Sequence, residues 1–187
     1  AGVGVSHQDQ GVLGHLVRSL HRSTRRPVAW ALRARTGLTT RQVHELLVAA
    51  PPFAADVAVV ITGVNDVLDQ VTPRRAVADR AALADWLIAS AGVGHVVFAP
   101  LPPMHRFPLL PEPLRRVLGA DAGRHDRALG RWAATRSDVS HARFALDLDA
   151  AGMASDGFHP GEPVYRVCGE ALAAHVAALR GHGPAAS

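Results

Sequence analysis

Three short stretches of this chain carry residue types that could do chemistry. Ser155-Asp156-Gly157-Phe158-His159-Pro160 places an acid three residues before a histidine, with glycine between them and proline after. A tight turn of that kind can hold both side chains at one edge. A carboxylate that accepts the imidazole Nδ1–H fixes the tautomer and leaves Nε2 free as a base. A solvated histidine in a surface turn fits the same residues equally well. Gly63-Val64-Asn65-Asp66 follows an apolar run, so Gly63 permits a sharp turn and Asn65 then carries an amide donor. Asn and Asp after a strand are also ordinary turn formers. In Arg35-Thr36-Gly37-Leu38-Thr39, Gly37 could present a bare backbone N–H to an anion or oxyanion, or simply be a loop glycine before a helix. Together the three stretches offer a base with its orienter and two oxyanion donors, but no nucleophile.

The elements that must position these residues alternate between helix and strand. Val12, Leu13, Leu16, Val17 and Leu20 recur at helical spacing within a helix expected from Asp9 to about Arg22. Val28 to Ala34 reads as a strand, and Thr39-Thr40 as the cap of a second helix that Pro51-Pro52 stops. Asp56 to Thr62 is apolar on successive residues, as expected for a parallel strand covered on both faces. Thr72-Pro73 opens a third helix, and His95 to Ala99 is a further buried strand. A Pro-rich loop leads to a long helical region from about Glu112 to Thr135, with an interruption expected at Gly119. Phe144 to Leu148 is expected as the last strand, Glu162 to about Arg180 as the last helix, and 181–187 as a flexible tail.

Alternating strands and helices imply βαβ crossovers, a parallel sheet and a three-layer α/β/α sandwich. In such sheets the site lies beyond the carboxyl ends of the strands, where the Gly63 and Asp156 stretches fall. Gly37, Asn65 and His159 are therefore expected to converge there.

With 187 residues, 48% of them hydrophobic, the chain suits one domain, taken as residues 1–180. No apolar run reaches the roughly 18 residues of a membrane span, and no leader is visible at Ala1, which leaves the compartment open. All 20 basic residues are arginine, against 16 acids. They are scattered beside Asp and Glu, and aromatics make up only 5%, so nucleic-acid binding is not expected. Cys168 is the single cysteine and fits a small buried apolar residue. The histidines show no metal-ligand spacing such as H-E-x-x-H.

In this order and spacing the chain resembles the SGNH (GDSL-like) hydrolases, whose fold is flavodoxin-like. Gly63-Val64-Asn65-Asp66 is similar to the family's G-x-N-D block, Asp156-Gly157-Phe158-His159 to its D-x-x-H block, and Gly37 to its second-block glycine. Ala1-Gly-Val-Gly-Val5 is similar to the stretch after G-D-S in the first block, so the family serine and the central strand would lie just before Ala1. Ser6, Ser23 and Ser155 do not match its position, and the nucleophile is expected in a longer parent protein. The resemblance implies serine ester hydrolysis, with His159 as base, Asp156 as its orienter, and Gly37 and Asn65 in the oxyanion hole. It implies a small-molecule ester substrate and no cofactor or metal. Asp66 is expected to pin the loop that aims Asn65. Val64, Met104 and Phe107 are candidates to line the substrate pocket, although Met104, Phe107 and Leu110 fit equally well as packing beneath their loop. Asp147 and Asp149 suit turn and cap duties. The alternative is an inactive domain of this type that binds acylated or sugar ligands.

Overall fold

The computed structural model describes residues 7–146, 148, 152–154 and 159–181, with the backbone alone for Gln8, Arg180 and Gly181. The chain falls into two compact units, residues 33–143 and residues 1–32 with 144–187.

In the unit 33–143, local signals start the helices. Thr39 caps α2 (Thr40–Ala49) through a reciprocal box with Gln42. The Gln42 N–H donates to Thr39 Oγ1 and the Thr39 N–H to Gln42 Oε1. Thr72 caps α4 (Pro73–Ala89), and proline at the first turn costs nothing because its missing N–H would have been unpaired. Between them run β1 (Ala55–Val60) and the short α3 (Val64–Leu68). β2 (Val93–Phe98), α5 (Leu114–Ala133) and β3 (Val139–His141) complete the unit.

The three described strands lie parallel in the order β1-β2-β3, with Val60 opposite Phe98 and Phe98 opposite His141. β2 is the middle strand and buries Val93, Val96, Val97 and Phe98. β1 lies at the edge of the described sheet, so Val57, Ala58 and Val59 are half-buried rather than covered on both faces, and Ile61 beyond it is exposed. The Phe98 ring meets Trp132 of α5 edge-on at 5.8 Å, which seats that helix against the sheet.

Three expectations are corrected. Val28 to Ala34 forms no strand, and Trp30 within it is 54% exposed. A β-prone run becomes a strand only when another strand pairs with it, which periodicity cannot report. The last described strand is Val139–His141, where Val139 finds Val96, and not Phe144 to Leu148; residues 144–146 are irregular and Asp147 lies outside the described residues. α5 runs through Gly119 without interruption. A Cβ at Gly119 would sit 2.7 Å from the His105 backbone N, so the glycine is where the turn at Met104–Arg106 approaches the helix.

In the other unit, α1 (Val12–Thr24) packs along α6 (Glu162–Gly181). They come close at Gly169, where a Cβ would meet His15 Cβ at 2.6 Å and Val12 O at 2.7 Å. His15 Nε2 lies 3.1 Å from a Glu162 carboxylate oxygen across the same pair. No helix among the described residues is long and apolar enough to cross a membrane.

Candidate active site

Because β1, β2 and β3 are parallel, the residues that follow them emerge at one edge of the sheet. After β1, Gly63 turns the chain with φ +126° and begins α3, which carries Val64, Asn65 and Asp66. Gly37 lies in an exposed turn before α2 with φ +82°, and a Cβ there would meet no atom within 4 Å. Asn65 Nδ2 donates to Leu38 O at 3.1 Å, so the amide and the Gly37 turn are joined by a direct bond.

Asp66 supplies a second tie between the same segments. It is 1% exposed, and its Oδ1 accepts the Thr40 N–H at 2.8 Å while its Oδ2 accepts the Thr40 hydroxyl at 2.6 Å. Arg80 Nη2 donates to the same Oδ2 at 3.1 Å. The expected pinning role of Asp66 is thus visible as three donors on one carboxylate. Sequence reasoning missed Arg80, which it counted among the arginines scattered beside Asp and Glu. The signal was there: Ala76, Arg80, Leu83, Ala84 and Leu87 form one buried stripe of α4, with a cation inside it. Burial lowers the Arg80 pKa, and the nearby charges of Asp66, Asp126 and Asp79 act in the opposite sense.

Another residue the sequence did not single out, Asp126, joins the exits of β2 and β3. Its Oδ1 accepts the Leu101 N–H at 2.9 Å and His141 Nε2 lies 3.0 Å from the same atom. Burial opposes ionisation of Asp126, but these two hydrogen bonds hold its carboxyl below the ordinary range.

The loop after β2 turns Met104 and Phe107 inward, at 0% and 3% exposure, and Leu110 is buried with them. They pack the loop beneath itself and onto α5. Val64 is half-buried.

In the other unit, His159 stands at the end of a narrow antiparallel stem. The Ala154 N–H donates to His159 O, and the Gly161 N–H to Gly152 O, both at 2.8 Å, with Met153 bridging Pro160. The Tyr165 N–H then donates to Gly161 O at 3.1 Å, tying the stem to the first turn of α6. His159 is half-buried, and Asp156 lies outside the described residues, as do Ser6, Ser155, Asp147 and Asp149. No cluster of three or more His, Cys, Asp or Glu that could hold a metal occurs among the described residues.

The model of the GDSL-like lipase/acylhydrolase family matches residues 1–167. The chain belongs to that family. The fold of this family member is shared by solved structures of low sequence identity. A lipase, Lip_vut3, from a goat rumen metagenome matches with TM-score 0.71 at 17% identity, over 92% of this chain and 90% of its own. A GDSL-like lipase from Bacteroides thetaiotaomicron matches with TM-score 0.59 at 14% identity, over 89% and 84%. The aryl esterase of M. smegmatis in its inhibitor-bound form matches with TM-score 0.58 at 21% identity, over 93% and 87%. No curated protein matches in sequence.

Proposed function

We propose that this family member is a serine ester hydrolase working through an acyl-enzyme. The nucleophile is the serine that the G-D-S block puts just before Ala1, His159 is its base, and Asp156 orients the imidazole. The serine attacks the ester carbonyl carbon while His159 Nε2 takes its proton, and the carbonyl electron pair moves onto oxygen. The tetrahedral oxyanion is held by the serine N–H, the Gly37 N–H and the Asn65 amide. Collapse of that intermediate expels the alcohol, which receives the proton from His159. Water activated by the same imidazole then releases the acid.

The observation that carries this reading is the bond from Asn65 Nδ2 to Leu38 O. It uses one of the two amide hydrogens and holds the side chain beside the Gly37 turn, leaving the other hydrogen for an incoming oxygen. A plain turn-forming asparagine has no need to be fixed against the loop that carries the other candidate donor. The substrate is a carboxylic ester of a small acyl group. The 104–110 loop is short and buries Met104 and Phe107, leaving Leu109 as its exposed large apolar side chain.

The test is the natural protein including the residues before Ala1, assayed with p-nitrophenyl acetate and a fluorophosphonate probe. We expect a burst of p-nitrophenol and covalent labelling of the upstream serine, both abolished by His159→Ala. Asn65→Ala is expected to lower kcat by about a hundred- to a thousandfold with little change in KM, as one oxyanion donor does. An intact, folded protein that is neither labelled nor hydrolytic would refute the enzyme and favour a ligand-binding domain. Labelling at Ser6 or Ser155 would overturn the assignment of the nucleophile.

A further inference from the structure

Arg80 is the largest fully buried side chain of the described residues, and it lies under the turn that carries Asn65. Its Nη2 donates to Asp66 Oδ2, one residue after Asn65. The same Nη2 lies 2.6 Å from the point a Cβ on Gly63 would occupy, two residues before Asn65. The guanidinium therefore touches the chain on both sides of the asparagine. Asp66 passes that constraint on to Thr40, at the start of the helix that follows the Gly37 turn. Nε and Nη1 of Arg80 have no hydrogen-bond partner among the described residues. Keeping a cation in the interior is costly, since burial strips its hydration and one carboxylate only partly replaces it.

We infer that Arg80 is a positioning residue for ester hydrolysis: through Asp66 and Gly63 it holds the backbone at the angle from which Asn65 donates to the oxyanion. This rests on the reading of Asn65 given above. The inference adds a residue that touches no substrate and acts on the transition state through another side chain. Its signature is a loss in kcat without a matching change in KM, and a loss that depends on Asn65 being present.

A double-mutant cycle on the full natural protein tests it, with wild type, Arg80→Met, Asn65→Ala and the pair compared at equal concentrations of folded, probe-titrated sites. We expect Arg80→Met to lower kcat about ten- to a hundredfold with KM within about threefold of wild type. In the Asn65→Ala background the same change should lower kcat by less than about threefold, because the donor it positions is gone. Equal losses in both backgrounds, or no loss in kcat from Arg80→Met, would overturn the inference and leave Arg80 as a fold residue only. Should Arg80→Met fail to fold by circular dichroism, the same cycle is run with Arg80→Lys, which keeps the charge but not the planar fork. If Asn65→Ala itself left kcat intact, the oxyanion reading would fall first, and that failure is distinct because it appears without any change at Arg80.

Discussion

At Gly63 one hydrogen atom decides whether the asparagine turn can form. Its φ of +126° is a conformation L side chains rarely adopt, and a Cβ would meet Arg80 Nη2 at 2.6 Å and Leu101 Cγ at 3.0 Å. Gly63→Ala therefore adds backbone strain and overpacking at one position. We expect a loss of about 2–5 kcal/mol in unfolding free energy, measured by urea denaturation. Gly37 has positive φ too, but a Cβ there would be in open space. Gly37→Ala should cost only the strain, about 1–3 kcal/mol. A Gly63→Ala loss no larger than that of Gly37→Ala would show that the guanidinium does not press on the turn. The G-x-N-D glycine was legible in the sequence as a turn residue; its contact with an arginine from α4 was not.

The helices of the unit 33–143 are set by their ends. Thr39 exchanges hydrogen bonds with Gln42 at the start of α2, and Thr40 beside it is held by Asp66. Loss of the cap hydroxyl in Thr39→Ala is expected to cost about 1 kcal/mol, within the usual 0.5–2 kcal/mol for such caps. Thr40→Val keeps the shape but removes the hydroxyl donor to buried Asp66, and should cost more, about 1–3 kcal/mol, because the buried carboxylate then loses one of its three donors. Chemical denaturation of the two variants side by side gives the order, and the reverse order would show that the cap matters more than the buried tie. At this scale the sequence was a good guide to where helices start, since caps and proline act within one turn. It misplaced the last strand because a three-residue strand such as Val139–His141 has too little pattern to read alone.

Across the whole molecule, stability should fall in mild acid. His125 of α5 is fully buried, with Nε2 3.9 Å from an Asp121 carboxylate oxygen and the Val71 backbone beside the ring. Burial lowers its pKa; the charge of Asp121 opposes this and that of Arg80 adds to it. Burial lowers the His95 pKa as well, against the nearby Asp138. With the folded value below the unfolded one, the unfolded chain takes up the proton first as pH falls. The contribution is complete above a pH of about 6.5 and is lost below it, by at most about 1.4 kcal/mol per pH unit for each group, until the folded value is reached. Urea unfolding at pH 7.5 and 5.5 should show the wild-type loss, and His125→Leu should reduce it while leaving pH 7.5 stability equal or higher. A wild-type curve that is flat or rises between pH 7.5 and 5.5 would contradict this.

What the sequence determined by itself was local: the caps at Thr39 and Thr72, the apolar runs that became β1 and β2, and short stretches that resemble the family whose model matches residues 1–167. Each is written within a few consecutive residues, where spacing and side-chain type act directly on the backbone. The tertiary structure decided what depends on partners brought from elsewhere in the chain. It denied Val28 to Ala34 a place in the described sheet, gave β3 to Val139–His141, and turned Met104 and Phe107 into the core. It also carried Arg80 inside, to an acid 14 residues away that reaches a further 26 residues to Thr40. Strand pairing and the burial of a charge are properties of two or more segments at once, and no periodicity within one segment can state them.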